Sequence, residues 1–215
     1  MRHSACPLAV RRAPCAARYD PRTVEPPARV ALFDTAIGTC AIAWSARGIA
    51  ALQLPEADPP STLARLRRGL PGAVEGEPPP AVQRAIEAMV ALLQGEPVDL
   101  GDIVLDETGV PDFHRRVYAV ARTIAPGTTL TYGEVARRVG DPGAARAVGQ
   151  ALGHNPFAII VPCHRVLAAA GGIGGFSAGG GRTTKRRMLA IERARPGDGP
   201  DLFAAPPGAP APRAT

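Results

Sequence analysis

"TYGEVARRVGDPGAARAVGQALGHNP", residues 131–156, has the pattern of two short helices separated by a glycine turn. Thr131 and Glu134 have the T-x-x-E spacing of a capping box, in which hydroxyl and carboxylate satisfy the free backbone donors of a helix start. Gly140 predicts the end of the first helix, and the Asp-Pro pair at 141–142 predicts the N-cap and first position of the second. Such a pair forms either a helix-turn-helix or an ordinary helical hairpin, which the pattern alone does not separate.

The distribution of charge along the chain is uneven. Residues 113–195 contain thirteen Lys or Arg against three acids, whereas residues 28–112 contain six Arg against twelve acids. A basic half joined to an acidic half indicates that the basic part faces a polyanion, with nucleic acid as the first candidate. A solvated basic surface is the alternative. The charge favours the helix-turn-helix over the hairpin.

Composition limits the class of protein. With 215 residues and 46% hydrophobic residues, the chain can hold one large or two small domains. Its longest apolar runs fall far short of the ~20 residues that a membrane span needs. We expect no disulfide framework, no metal and a reducing, cytoplasmic location, because none of the cysteines has C-x-x-C spacing: Cys6, Cys15, Cys40 and Cys163.

Residues 28–108 have the pattern of a small α/β domain. "RVALFDTAIGTCAIAW" and "GIAALQL" predict a hairpin-forming sheet, while "STLARLRRGL" and "AVQRAIEAMVALLQG" have apolar residues at helical spacing. This segment shows no nucleophile–base pair, metal spacing or phosphate loop, so we expect a scaffold. Residues 1–27 and 196–215 predict solvated tails; the Arg-rich first tail also faintly resembles a transit peptide.

Residues 109–195 form the second predicted domain. "DFHRRVYAVARTI" predicts a helix with Asp112 as N-cap, and "FAIIVP" predicts a strand that delivers Cys163 to its end. "RTTKRRMLAIERA" predicts an amphipathic closing helix with a basic outer face. The loop "AAAGGIGGFSAGGGR", residues 168–182, fits no phosphate-binding motif and predicts a bent loop that admits a planar group.

"VPCHRV", residues 161–166, places a cysteine beside a histidine and an arginine. A free cysteine is most often buried and inert, but nearby cations lower the pKa of a thiol and favour the nucleophilic thiolate. Neighbours in a strand point to opposite faces, so His164 can act as a base only if the chain turns after Pro162. Glu192 is then either a surface ion-pair partner or the group that orients His164.

Five segments together resemble the C-terminal domain of the O6-alkylguanine-DNA alkyltransferases, or methylated-DNA–protein-cysteine methyltransferases. They are "TYGEVA", "GAARAVGQALGHNP", "VPCHRV", "GGFSAGG" and "KRRMLAIE", within residues 112–194. Residues 28–105 resemble the family's N-terminal domain in layout. The resemblance implies an α/β (α+β) fold, with a small RNase H-like N-terminal domain followed by a helical, winged helix-turn-helix-like alkyltransferase domain.

The resemblance also implies roles. Cys163 would take the alkyl group from O6 of a flipped guanine and keep it, while His164, held by Glu192, draws the thiol proton away through a water. Tyr132 would protonate the leaving guanine, and Asn155 would tie the turn between recognition helix and active site. Implied DNA contacts are Arg146, Ala145, Gly149 and Arg165, and implied substrate contacts are Ser177, Val166 and Phe176.

The implied partner is double-stranded DNA that carries O6-alkylguanine, with no cofactor and a monomeric protein. One alternative is a helix-turn-helix regulator whose cysteine senses oxidation or alkylation without repairing DNA. A cysteine hydrolase is a third hypothesis, and it would turn over repeatedly.

Overall fold

The computed structural model describes residues 27–169, 172–176 and 179–194. Both predicted tails, apart from Pro27, and the substrate contact predicted for Ser177 lie outside these residues. No helix within the described ranges is long and apolar enough to cross a membrane.

The mixed α/β fold class is confirmed. The elements follow in the order β1 (Arg29–Thr35), β2 (Gly38–Ser45), β3 (Gly48–Gln53), α1 (Pro59–Arg68), β4 (Val74–Glu75), α2 (Pro80–Leu93), α3 (Asp112–Arg122), β5 (Leu130–Thr131), α4 (Tyr132–Val139), α5 (Ala145–Gly153), β6 (Val166–Leu167) and α6 (Gly181–Ile191).

The main sheet has the order β3-β2-β1-β4, with antiparallel hairpins and a parallel β1–β4 pair. Alternation along β2 sends Cys40, Ile42 and Trp44 into one core with α2 and sends Ala41 and Ala43 into another with α1. Because β2 is covered on both faces, its sequence is a nearly continuous apolar run. The two predicted hairpin turns and both predicted helices of this segment are confirmed.

The helix pair α4–α5 begins as the sequence predicts. The Thr131 hydroxyl accepts from the Glu134 backbone N–H at 3.2 Å, and the Glu134 carboxylate accepts from the Thr131 N–H at 2.6 Å. Gly140 ends α4 with a φ of 91°, in the left-handed region that favours glycine. The predicted N-cap of α5 is wrong, because residues 141–144 form a turn closed by the Ala144 N–H donating to the Asp141 carbonyl at 3.0 Å.

Two further local predictions are wrong. Asp112 is the first residue of α3, whose N-cap is Pro111, and its carboxylate pairs with Arg115 instead of capping. "FAIIVP" is a series of turns, because the Val161 N–H donates to the Phe157 carbonyl at 2.8 Å and Ile159 has a left-handed φ of 71°. Only Phe157 in this run bridges to β3.

Helices α3, α4 and α5 pack around a shared apolar core, and that core includes the turns before Cys163. Tyr118 on α3 is buried there, and its hydroxyl donates to the Ala151 carbonyl on α5 at 2.9 Å. The short strands β5 and β6 pair in parallel and tie the start of α4 to the segment after Cys163. The core thus holds α5 and Cys163 in one packed unit.

Replacing Thr131 by alanine is expected to lower the free energy of unfolding by about 1 kcal/mol, because the capping box of α4 loses its hydroxyl. Denaturant unfolding measures this loss. Thr183→Ala, at an exposed position in the first turn of α6, is the matched control and should change stability by less than about 0.5 kcal/mol. Equal losses in both variants would contradict the role of the cap.

Candidate active site

Cys163 opens a tight 3₁₀ turn, Cys163–Arg165, directly after Pro162. The thiol-bearing residue is partly exposed, whereas His164 and Arg165 are buried. The sequence analysis required a turn after Pro162 if His164 is to act as a base on Cys163. The 3₁₀ turn provides it, whereas a straight strand would have sent His164 to the opposite face.

A buried ion-pair cluster surrounds the carboxylate of Glu192 at the end of α6. His164 Nε2 lies 2.9 Å from Glu192 Oε1, and Arg165 donates from Nε to Oε2 and from Nη2 to Oε1, each at 2.8 Å. Burial raises the pKa of Glu192, but the hydrogen bonds from His164 and Arg165 outweigh it and lower the value to about 2. Glu192 is therefore ionised and faces His164, and the surface ion pair considered as its alternative role is wrong.

The ionised carboxylate determines which tautomer His164 adopts. A carboxylate only accepts hydrogen bonds, so Nε2 carries the proton and Nδ1 keeps its lone pair. Burial lowers the pKa of His164 more than Glu192 raises it, which keeps the ring neutral. Nδ1 is buried and has no hydrogen-bond partner among the described residues. The ring is thus a neutral base with a free acceptor nitrogen.

Arg165 does not lie at a surface that could contact DNA, as the resemblance implied. Its guanidinium is buried, holds both oxygens of Glu192 and donates from Nη1 to the carbonyl of Ile124. The prediction that Arg165 contacts DNA is wrong, because a guanidinium enclosed in this way cannot reach a phosphate. Arg165 instead fixes the carboxylate that holds His164.

Asn155 ties the turn before the cysteine. Its Nδ2 donates to the Val161 carbonyl and its Oδ1 accepts from the Phe157 N–H, both at 2.9 Å. Burial raises the pKa of the Cys163 thiol, while a hydrogen bond with Asn155 and the positive charge of Lys185 act to lower it. Asn155 therefore links the end of α5 to the thiol itself.

Lys185 is a site residue that the sequence analysis missed. The closing helix is predicted to have a basic outer face, but Lys185 on α6 is fully buried and donates from Nζ to the Val166 carbonyl at 2.7 Å. Nζ lies 5.9 Å from the ring centroids of both Tyr132 and Phe176. Burial lowers the pKa of Lys185 to about 8, and the Cys163 charge opposes that shift. The sequence did contain one signal that could have drawn attention to this residue, because Lys185 is the only lysine in an arginine-rich chain.

Lys185→Met is expected to raise the pKa of the Cys163 thiol further, because a nearby cation that favours the thiolate is removed. The pH dependence of iodoacetamide labelling at Cys163 measures this pKa. Arg186→Met, at an exposed neighbouring position on α6, is the control and should leave the pH profile in place. An unchanged profile in Lys185→Met would show that the lysine does not influence the thiol.

A cavity of 550 Å³ opens over Cys163. It brings together six of the predicted site residues: Tyr132, Ala145, Arg146, Gly149, Cys163 and Phe176. Val166 is fully buried outside this lining, and its carbonyl accepts a hydrogen bond from Lys185, so its substrate contact stays a prediction. Burial raises the pKa of Tyr132, and the Cys163 charge adds to the effect, so the phenol keeps its proton.

Known proteins share both the sequence and the fold of this site. Residues 112–194 match the family described as 6-O-methylguanine DNA methyltransferase, DNA binding domain. Over 117 residues the chain is 50% identical to the methylated-DNA–protein-cysteine methyltransferase of Mycolicibacterium paratuberculosis, a match that covers 54% of this chain and 68% of that relative. The chain belongs to the methylated-DNA–protein-cysteine methyltransferase family. The resemblance noted in the sequence is confirmed.

Solved structures of methyltransferases match a larger share of the chain. The Mycobacterium tuberculosis OGT in complex with DNA superposes with a TM-score of 0.63 and 37% identity, over 77% of this chain and 92% of that one. The O6-methylguanine-DNA methyltransferase of Pyrococcus kodakaraensis has a TM-score of 0.60 and 25% identity, over 77% and 98%. The methyltransferase relatives carry the enzyme name expected from the sequence. At 77% of the chain, these matches extend beyond residues 112–194.

Proposed function

We propose that this protein repairs DNA by moving an alkyl group from O6 of guanine to Cys163, where it stays. The observation that carries the proposal is the placement of Cys163 on the wall of a cavity formed by α5, directly beside the His164–Glu192 pair. Family membership supports the same reaction. A regulator that only senses damage needs no orienting carboxylate behind its histidine.

The first step is formation of the thiolate. Nδ1 of His164 is the unprotonated acceptor, and we assign it to draw the Cys163 proton away through a water. Glu192 holds the ring and stabilises the imidazolium that forms, which is the arrangement of a nucleophile, a base and an orienting group. Lys185 stabilises the negative charge that develops on sulfur.

The second step is displacement at the alkyl carbon. The Cys163 sulfur forms the new C–S bond as the bond from that carbon to O6 breaks, and the electron pair goes to the guanine. Tyr132 lines the cavity with a protonated phenol and donates to the departing base. Because the product is a thioether, no further step frees the sulfur, and each molecule reacts once.

DNA is the partner that this geometry supports. The recognition helix α5 lines the cavity with Ala145, Arg146 and Gly149, so a groove-bound helix would hold the cavity over the duplex. O6 of a paired guanine lies at the major-groove edge of the stack, whereas Cys163 lies on the wall of a cavity. The damaged nucleotide must therefore leave the stack to bring its alkyl group to the thiol. We propose double-stranded DNA with O6-alkylguanine as the substrate, bound by one protein molecule.

The test is incubation with an oligonucleotide that carries O6-methylguanine, followed by mass spectrometry of the intact and digested protein. The expected result is a gain of one methyl group per molecule, located on Cys163. No transfer at stoichiometric protein would reject the proposed function, and repeated turnover would favour a hydrolase-type reaction instead.

Arg146→Ala is expected to slow repair in duplex DNA by about 10- to 100-fold, because unstacking a base costs a few kcal/mol that an inserted side chain offsets. The reaction with free O6-methylguanine base needs no flipping and should change little. Rates with duplex and free base measure the difference. Arg84→Ala, on the exposed face of α2, controls for the loss of one positive charge, and equal losses with both substrates would exclude this role.

A further inference from the structure

Cys163 lines two cavities. The first is the 550 Å³ cavity formed by α5, and the second has a volume of 230 Å³ and lies on the side of the N-terminal sheet. Both share one set of residues around the thiol, namely Leu152, Gly153, Cys163 and Phe176. The thiol therefore lies where the two spaces meet.

The second cavity has walls from parts of the chain that the first does not use. Gln53 is the last residue of β3, Leu54 follows it, and Arg65 comes from α1. Its rim is open to solvent, since the Arg65 side chain is 41% exposed and His154 is exposed. At 230 Å³ the cavity is smaller than the ~300–1,000 Å³ usual for ligand pockets, so it suits a molecule of a few heavy atoms.

Asn155 and the start of α5 distinguish the two cavities. Asn155 lines the second cavity and is absent from the lining of the first. Ala145, Arg146 and Gly149, on the recognition helix, line only the first. DNA that covers the first half of α5, where these three residues lie, would therefore close the first cavity and leave the second open.

We propose that the second cavity is an entrance through which small uncharged alkylating agents, of the alkyl halide class, reach Cys163 while DNA covers the first cavity. The Cys163 thiolate attacks the carbon that bears the halogen. The C–S bond forms as the carbon–halogen bond breaks, the halide leaves with the electron pair, and the thiol proton passes to solvent. The part that concerns DNA rests on the proposed function.

The test uses iodoacetamide as the probe, with labelling of Cys163 followed by mass spectrometry and duplex binding followed by fluorescence anisotropy. As undamaged duplex is added, the labelling rate is expected to fall to a plateau that persists at saturation. With a single entrance the rate would fall in proportion to free protein and approach zero, which would overturn the proposal.

Two substitutions test the second entrance. Gln53→Trp fills the second cavity, and at saturating duplex it should lower the labelling rate at least about tenfold, since the reagent no longer reaches the thiol. Its rate of repair of O6-methylguanine in DNA should stay at the wild-type value, which also shows that the variant folds. Arg65→Trp narrows the rim and serves as a second variant. Wild-type labelling in both would overturn the proposal.

A DNA-free comparison separates this proposal from the proposed function. Gly149→Phe fills the first cavity and should still be labelled, whereas Gln53→Trp combined with Gly149→Phe should be labelled at least about tenfold more slowly. If no methyl transfer from DNA is found, the proposed function fails, but this comparison still decides whether the second entrance exists. Equal labelling of Gly149→Phe and the double variant would overturn it.

Discussion

Cys163→Ala is expected to reduce methyl transfer from DNA to the level seen without protein, while DNA binding is retained. In the proposed reaction the thiol supplies the electron pair of the new C–S bond, and among the described residues that line the cavity no other side chain is a comparable nucleophile. The DNA contacts proposed on α5 come from other residues, so affinity should not depend on the sulfur. Transfer is measured by mass spectrometry, and affinity by anisotropy with an O6-methylguanine duplex.

Cys40→Ala is the matched control for this loss. Cys40 is buried in the sheet, and burial raises the pKa of its thiol to about 12 despite a hydrogen bond with Thr35. It is held as the neutral thiol and lies in the core that β2 shares with α2. Its removal should leave one methyl transferred per molecule. Residual transfer in Cys163→Ala, or loss of transfer in Cys40→Ala, would show that the acceptor has been assigned to the wrong residue.

Glu192→Gln is expected to slow transfer by about 10²–10⁴-fold, because the buried base loses the carboxylate that fixes its tautomer and stabilises its charged form. An amide can present either an oxygen or an NH₂ group to His164, so the proton is no longer restricted to Nε2. Single-turnover rates with methylated duplex measure the effect. Glu87→Gln, at an exposed position on α2, should leave the rate unchanged.

The same variant should lose about 3–5 kcal/mol of stability, because Arg165 is left as a buried charge without its counter-ion. In the wild type the carboxylate has a pKa of about 2 in the folded protein against 4.5 as its ordinary value. Its stabilisation is therefore fully present above about pH 4.5 and is lost as the pH falls through about 2. Unfolding measured from pH 6 to 2 should show this loss in the wild type and a flatter profile in Glu192→Gln.

Local features of the fold were predictable because they depend on near neighbours. The capping box at Thr131 and Glu134, the glycine end at Gly140 and the two hairpins of the sheet follow from contacts within a few residues. The starts of α3 and α5 were misplaced by one to three residues, since an Asp or an Asp-Pro pair suits a turn as well as a cap. The strand predicted for "FAIIVP" was wrong because an apolar run fits a buried turn as well as a strand.

By itself the sequence determined the family and the helix pair and pointed to Cys163 as the proposed acceptor, because the motifs around residues 131–166 are specific and their caps are local. Only the tertiary structure decided the roles of the charged residues. Glu192 meets His164 across 28 positions, while Arg165 and Lys185 turn inward although arginine and lysine are usually exposed. Whether a charge is solvated or buried depends on which distant segments fold over it, and these contacts cannot be derived from spacing along the chain.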